Sequence, residues 1–272
     1  DLGERHIIVN VADYKLEVIE AGRRVMEMRV VVGKRYWHTP VFSAIMTHIV
    51  LNPYWTVPPR IAEKEIVPKI LQEPGYLLEQ SIRIFEGWGF GKPEIEGNRI
   101  DWARISGSHI QYKFRQDPGP KNPLGRIKFV FPNRFNVYLH DTPFPELFDR
   151  RKRALSHGCI RIEKPVELAE YILRGNPAWT REKIVSAMKG DSNRIVRLPE
   201  GIPVYVLYWT AWVDEDGLVE FRDDIYGRDH RLYDAPKEKP PTRFVDTRKE
   251  YSTEAINLYT VRGKTRHLGF NE

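Results

Sequence analysis

The sequence contains one cysteine and lacks several features that mark other classes of protein. Cys159 is the only cysteine among 272 residues, so no disulfide can form within the chain and the redox compartment is left open. No run of about 18 apolar residues occurs, and we therefore predict no transmembrane helix. The chain begins Asp1-Leu2-Gly3-Glu4, with neither a starting methionine nor a basic-then-apolar leader, which predicts a processed or trimmed chain. Internal repeats are absent.

Length and composition indicate a globular protein. A chain of 272 residues exceeds the usual domain size of about 100–150 residues, which predicts either one large domain with an insertion or two domains. The net charge of +6 indicates either an anionic partner or simply solubility, and the basic residues are dispersed along the chain. We interpret their densest cluster, Arg150-Arg151-Lys152-Arg153, as a solvated loop, with steering of an acidic substrate as the alternative. Nucleic acid is not predicted as a partner.

The residues around the cysteine are small, polar and basic. Cys159 lies in Ser156-His157-Gly158-Cys159-Ile160-Arg161, whereas a structural cysteine usually lies in an apolar run. Nearby positive charge and unpaired backbone N–H groups lower a thiol pKa from about 8.5 into the range of roughly 3.5 to 7.5. This setting favours a thiolate nucleophile over an inert buried thiol or a metal ligand.

A histidine upstream is a candidate partner for the thiol. The stretch Val137-Tyr138-Leu139-His140-Asp141-Thr142 is typical of a short apolar strand with a histidine at its end, a suitable position for a general base. A zinc site of His140, His157 and Cys159 is the alternative, but the His-x-Cys spacing is unusual and no fourth ligand is evident nearby. We therefore predict that no metal is bound.

The two motifs together resemble the active-site signature of a known family. His140-Asp141-Thr142 precedes the cysteine motif with 19 positions from histidine to cysteine (159 − 140). This order and spacing resemble those of the YkuD-type L,D-transpeptidases, and the chain looks closest to the longer, YcbB-like members, which carry an extra segment inside the catalytic domain. The resemblance covers roughly residues 5 to 210. Papain-like hydrolases place cysteine before histidine, which is the reverse order.

The resemblance implies a mixed, mainly β fold. A β-sandwich-like catalytic domain with a few helices is expected to carry an inserted helical and loop cap. We place the discontinuous catalytic domain at 1–52 and 121–212 and the cap subdomain at 53–120. A C-terminal extension at 213–272 is charged and loses periodicity, so we expect it to be partly extended or disordered.

Hydrophobic patterning predicts individual elements within this framework. Alternation of apolar and polar residues indicates strands, and proline at a first helical position or glycine at an end delimits helices. The predicted strands are 6–10, 15–20, 25–32, 44–51, 125–131, 137–140 and 203–209, the last in the chain. The predicted helices are 60–71, kinked at Pro68, one that opens at Lys164-Pro165 and stops at Gly175, and one from about Thr180 to Gly190.

The function implied by the resemblance is peptidoglycan L,D-transpeptidation. The enzyme would form 3→3 crosslinks through a cysteine thioester on tetrapeptide stems, with release of D-Ala, and would need no cofactor. Its partners would be stem peptides as donor and acceptor, and carbapenems as inhibitors. The location would be the bacterial cell envelope, in the periplasm. The alternatives are an L,D-carboxypeptidase or a lipoprotein-attaching or -releasing enzyme on the same scaffold, and a non-catalytic wall-binding module.

The resemblance also assigns roles to residues. Cys159 would be the nucleophile and His140 the general base, held in one tautomer by the carbonyl of Asp141 or of Gly158. The backbone N–H groups of Gly158 and Cys159 would stabilise the oxyanion. Arg161 would anchor the loop or, as the less favoured alternative, bind a substrate carboxylate. His157 is expected to point away from the base. The residues predicted to bind substrate or to support the site are Tyr138, Asp141, Ser156, His157 and Arg161.

Overall fold

The computed structural model describes residues 2–89, 91–102, 105, 110–214 and 216–234. The chain divides into two compact units, Asp1–Gly227 and Arg228–Glu272. In the second unit the described residues are Arg228–Asp234, which form one helix. Within the described ranges no helix is long and apolar enough to cross a membrane. The part of the predicted C-terminal extension after residue 234 lies outside the described residues.

The described ranges contain strands, α-helices and short helices of other types. The strands are β1 Arg5–Asn10, β2 Lys15–Glu20, β3 Arg23–Gly33, β4 Phe42–Leu51, β5 Trp55–Thr56, β6 Ile82–Phe85, β7 Glu94–Ile95, β8 Lys113–Gln116, β9 Ile127–Val130, β10 Leu139–His140, β11 Ala154–Ser156, β12 Ile160–Ile162, β13 Arg194–Leu207, β14 Ala211–Val213 and β15 Val219–Phe221. The α-helices are α1 Pro59–Ile61, α2 Val67–Gln72, α3 Tyr76–Glu79, α4 Pro165–Leu173, α5 Arg181–Lys189 and α6 Arg228–Asp234. A π-helix spans Ala62–Ile66, and 3₁₀ helices span Gly97–Arg99 and Pro145–Asp149. The predicted mainly β class is confirmed.

Nine strands form the main sheet, in the order β11-β3-β12-β10-β9-β4-β13-β1-β2. Strand β3 also pairs with β2, so the order of pairing returns on itself. The early residues of β3 pair with β2, and its last residues, from Val30 to Gly33, pair with β12 and β11. Apolar side chains from these strands, among them Ile7, Leu16 and Phe129, are fully buried in one core.

Helices α4 and α5 pack against this core. Pro165 opens α4 in its first turn, where the missing N–H costs no hydrogen bond. Leu168 and Ile172 of α4 are buried in the core, and burial of such a side chain contributes about 1.5–3 kcal/mol. The Thr180 side chain caps α5 by accepting from the N–H of Lys183. Both predicted helices are confirmed.

Strand β13 is longer than the sequence predicts. It starts at Arg194 rather than Pro203, and its pairing with β4 shifts register between Arg197 and Ile202. The intervening Pro199-Glu200-Gly201 has the residues of a turn, but a bulge absorbs it without ending the strand. The prediction that this is the last strand is also wrong, because β14 and β15 follow.

The segment predicted as a cap has a β-sheet of its own. Strands β5, β8, β6 and β7 form a four-stranded sheet, in that order, around a separate cluster that includes Ile84 and Phe114. The expectation of helices and loops alone is therefore wrong, since strands of two to four residues show too little alternation to be recognised. The predicted helix is present as α1, the π-helix and α2, with Pro68 at the start of α2. The predicted domain boundaries stay a prediction.

The expectation of a partly extended or disordered tail is wrong for the stretch up to Gly227. Strands β14 and β15 form an antiparallel hairpin, and Tyr226 is 3% exposed in the main core. Residues as far as Gly227 belong to the first compact unit. These residues pack against distant parts of the chain, and the periodicity of the segment itself could not reveal such contacts.

Candidate active site

Parallel pairing of β10 with β12 brings the two predicted reacting residues together. Leu139 is opposite Ile160 and His140 is opposite Arg161, so Cys159, one residue before β12, lies beside the strand that carries His140. Both side chains line one cleft of about 190 Å³. The predicted residues that line it are Tyr138, His140, Ser156, His157, Cys159 and Arg161, and residues 53–120 contribute Trp55, Pro58, Ile61 and Glu65.

His140 is buried and held in one orientation. The residue is only 4% exposed, and its Nδ1 is 2.6 Å from the carbonyl oxygen of Asp141. A carbonyl oxygen can only accept a hydrogen bond, so Nδ1 carries the proton and donates it, and Nε2 is the unprotonated nitrogen. Of the two carbonyls predicted to orient the base, that of Asp141 makes the contact. Burial, with the positive charges of Arg161 and Lys128, lowers the pKa of His140 to about 3, so the ring is neutral at neutral pH.

The thiol of Cys159 is not pre-ionised. Burial raises the pKa of Cys159 above its ordinary value, and hydrogen bonds from Tyr138 and the charges of Lys128 and Arg161 act in the opposite direction without outweighing it. The prediction of a lowered pKa from the basic neighbours is therefore wrong. Sequence neighbours show charge, whereas desolvation depends on walls contributed by distant segments. The resting protein thus holds a neutral thiol, which donates to the carbonyl of Asn136 at 3.7 Å, and a neutral imidazole in the same cleft.

Ser156 organises the loop before the cysteine. Its Oγ accepts from the N–H of Gly158 at 3.1 Å and donates to the carbonyl of Cys159 at 2.6 Å. Gly158 has φ +112°, a conformation that residues with a side chain rarely adopt. The N–H of Gly158, predicted as an oxyanion donor, is thus engaged by Ser156. This leaves the N–H of Cys159 as the other predicted donor.

Tyr138 forms one wall of the cleft, and Lys128 packs against its ring. Tyr138 lines the cleft, and its ring meets that of His140 nearly edge-on at 5.8 Å between centroids. Burial raises the pKa of Tyr138 well above its usual value, so its hydroxyl stays protonated and able to donate. The Nζ of Lys128, a residue that the sequence analysis does not single out, lies 3.7 Å from the centre of the Tyr138 ring.

The carboxylate of Asp141 serves the backbone rather than the cleft. Its Oδ2 accepts from the N–H of Arg126 at 2.8 Å. A Cβ at Gly125 would lie 2.4 Å from this oxygen, so the turn at Gly125 is shaped around the carboxylate. Neither Asp141 nor Gly158 lines the cleft. Asp141 therefore contributes to the site through its carbonyl.

Comparison with known proteins gives the family. A model of the YkuD L,D-transpeptidase catalytic domain matches residues 4–185, which include both motifs. The chain belongs to the YkuD family. A curated Haemophilus influenzae protein, provisionally named an L,D-transpeptidase, is 36% identical over 228 residues, which make up 83% of this chain and 45% of the relative. The YkuD chain thus spans less than half the length of that relative.

Solved L,D-transpeptidases are more distant in sequence. An L,D-transpeptidase from Mycobacterium smegmatis is 12% identical with a TM-score of 0.34, and the match covers 75% of this YkuD chain and 58% of the mycobacterial chain. L,D-transpeptidase 3 from Mycobacterium tuberculosis is 13% identical with a TM-score of 0.34, covering 75% and 61%. The family assignment rests on the family model and the curated relative.

A buried network that the sequence does not indicate supports the cysteine loop of this YkuD domain. The Thr39 Oγ1 donates to the carbonyl of Gly158 at 2.8 Å and accepts from the N–H of Gly33 at 2.9 Å. The Tyr226 hydroxyl accepts from the N–H of Thr39 at 3.2 Å and donates to the carbonyl of Gly33 at 2.6 Å. Tyr226 lies in the segment expected to be a tail, so no local signal could have identified it.

The inserted segment reaches the same loop through one charged contact. Glu65 of the π-helix lies 2.5 Å from the Nε2 of His157, through Oε1. The Trp37 ring meets His157 edge-on at 4.9 Å, and the Arg60 guanidinium lies 4.1 Å over Trp37. The expectation that His157 points away from the base is wrong, because residues 157–159 form a bend rather than a strand and His157 lines the cleft.

The described part of the chain holds no group of three or more His, Cys, Asp or Glu side chains placed to bind a metal ion. His140, His157 and Cys159 line one cleft, yet His140 and His157 each have another hydrogen-bond partner. Among the described residues the cleft therefore holds a thiol and two histidines that are each engaged by another group.

Proposed function

We propose that this domain is a peptidoglycan L,D-transpeptidase of the bacterial cell envelope, in the periplasm, that forms 3→3 crosslinks through a thioester on Cys159. The observation that carries the proposal is the shared cleft, which is lined both by the Cys159 thiol and by a neutral His140 whose Nδ1 donates to the Asp141 carbonyl. A base takes the thiol proton through a ring nitrogen that carries no proton, and in this tautomer that nitrogen is Nε2. The donor and the acceptor would be tetrapeptide stems, and no cofactor takes part.

Acylation begins with proton transfer. The thiol proton moves to Nε2 of His140, and the thiolate attacks the carbonyl carbon of the third stem residue. The N–H of Cys159 donates to the resulting oxyanion. The C–N bond to D-Ala then breaks, His140 returns its proton to the leaving amine, and a thioester remains. Because both groups are neutral at rest, the ion pair exists only while substrate fills the cleft, and each charge then stabilises the other.

Deacylation uses the same residues in reverse. An amine of a second stem attacks the thioester carbon while His140 takes a proton from the nitrogen. The C–S bond breaks, and the proton passes back to the sulfur, which regenerates the thiol. Water competes with the amine, and Trp55, Ile61 and Glu65 from the inserted segment wall the cleft on that side. These walls support transfer over hydrolysis, because oriented groups reach effective molarities of about 10⁵–10⁸ M, far above water.

Product analysis with purified disaccharide-tetrapeptide tests the proposal. Mass spectrometry should show the crosslinked dimer and free D-Ala with the wild-type domain, and neither with Cys159→Ala. His140→Ala should slow the rate by a factor of about 10² or more, the usual worth of a general base. His48→Ala, a half-buried histidine on β4 outside the cleft, is the matched control and should retain activity.

Covalent labelling provides a second readout. Carbapenems carry a strained carbonyl, and intact-mass analysis should show one adduct, mapped to Cys159. Near-normal turnover by Cys159→Ala would refute the nucleophile assignment. Free tripeptide without any dimer would identify a carboxypeptidase on the same scaffold.

A further inference from the structure

Three polar residues form a row across adjacent strands of the sheet. His140 on β10 is opposite Lys128 on β9 and opposite Arg161 on β12. Residues directly opposite one another on neighbouring strands project from the same face, about 5 Å apart. The base is therefore flanked by two cations. Lys128 is held over the Tyr138 ring and does not line the cleft, whereas Arg161 does line it.

Arg161 lacks a partner in the described part of the chain. Its Nε is fully buried and makes no hydrogen bond there. The charge of Glu146 acts on the guanidinium at a distance, and among the described residues no ion pair joins the two side chains. Other arginines of the domain show the contrast, since Arg29 donates twice to Glu163 and Arg174 twice to Glu20.

An unpartnered guanidinium in a cleft costs free energy, because a buried charge without a hydrogen-bond partner loses its hydration without compensation. The role of a loop anchor, which the sequence favours, requires donation from Arg161 to loop carbonyls, and the described residues show none. The loop is instead held by Ser156 and Thr39. Arg161 is thus available to an anionic ligand that enters the cleft.

We propose that Arg161 binds the terminal carboxylate of the donor stem, on the residue that leaves during acylation. Successive residues are about 3.8 Å apart along a chain, so this carboxylate lies one residue from the carbonyl that the thiol attacks. Arg161 lies two positions after Cys159 and beside His140, which places it next to that carbonyl. The planar guanidinium matches a carboxylate with two parallel hydrogen bonds. This inference rests on the proposed function and names the group that the site recognises.

Substrate amidation separates recognition from structure. Release of the fourth residue is followed for three synthetic stems: the free acid, its C-terminal amide, and a stem amidated only on the side-chain carboxyl of the third residue. Wild-type kcat/KM should favour the free acid over the C-terminal amide by about 10- to 10²-fold, the range for a hydrogen bond to a charged group. Amidation of the third-residue side chain should change little.

The variants complete the cycle. Arg161→Gln should lower kcat/KM for the free acid by the same factor and leave the C-terminal amide unchanged. Arg161→Lys keeps the charge without the planar fork and should retain an intermediate preference. Arg151→Gln, at an exposed arginine outside the cleft, should keep the wild-type preference.

Three results would overturn the assignment. An equal loss for acid and amide in Arg161→Gln would make Arg161 structural. A preference that follows amidation of the third-residue side chain would assign Arg161 to that carboxylate. Equal rates for acid and C-terminal amide in the wild type would remove the recognition altogether while leaving the proposed transpeptidase intact. Failure of the wild type to process any of the stems would instead refute the proposed function.

Discussion

The buried neutral His140 should make the stability of the domain depend on pH in a way that one substitution removes. The pKa of His140 is lowered to about 3 by burial in the folded protein, whereas a histidine in the unfolded chain has a pKa of about 6.5. Between these values the unfolded chain binds one more proton than the folded protein. The free energy of unfolding must therefore fall as the pH falls through 6.5, by about 1.4 kcal/mol per pH unit.

The magnitude follows from the interval chosen. From pH 7 to pH 5 the free energy of unfolding should fall by about 2 kcal/mol on account of His140. The fall is smaller than two full pH units would give, because the unfolded histidine is mostly protonated only below about pH 6.5. Both pH values lie well above 3, so His140 stays neutral in the folded protein throughout the interval. Buried carboxylates such as Asp141, whose pKa is raised by burial, contribute equally to the wild type and to a variant at position 140.

Urea unfolding at pH 7, 6 and 5 measures the effect. His140→Gln lowers stability at every pH, but its loss between pH 7 and pH 5 should be about 2 kcal/mol smaller than that of the wild type. Equal losses in the two proteins would show that His140 is protonated in the folded state at pH 5. The account of the neutral Cys–His pair would then be wrong.

Two further contacts can be tested by single substitutions. Tyr226→Phe removes the hydroxyl between Gly33 and Thr39 and should destabilise the domain by about 1–3 kcal/mol, the cost of leaving buried polar groups unsatisfied. Urea unfolding measures this loss, with Tyr36→Phe, at a residue 84% exposed, as the control. Equal unfolding midpoints of the two variants would contradict the prediction. Glu65→Ala removes the contact of the inserted segment with His157 and should shift products from crosslinked dimer towards free tripeptide. The control Glu63→Ala, on the same π-helix, should leave the products unchanged. An unchanged dimer-to-tripeptide ratio in Glu65→Ala would show that this contact does not restrict water.

The parts of the fold that were predictable are those with a local cause. Strands β1 to β4 are six or more residues long and rich in valine and isoleucine, and α4 combines an opening proline with apolar residues at helical spacing. Strands β6 and β7 are too short for such a pattern, and β13 passes through Pro199-Glu200-Gly201 as a bulge. The formation of these strands depends on the strands with which they pair, and those partners are distant in sequence.

The candidate site divides along the same line. The sequence alone determined the candidate reacting residues, because Cys159 is the only cysteine in the chain and His140 precedes it at a spacing that resembles the family's. Only the tertiary structure decided the state and the surroundings of the pair. Packing of distant segments around the cleft raises the pKa of the thiol, turns His157 into it, and leaves Arg161 without a partner among the described residues. Desolvation and hydrogen-bond satisfaction depend on atoms brought together by folding, so no reading of neighbouring residues could supply them.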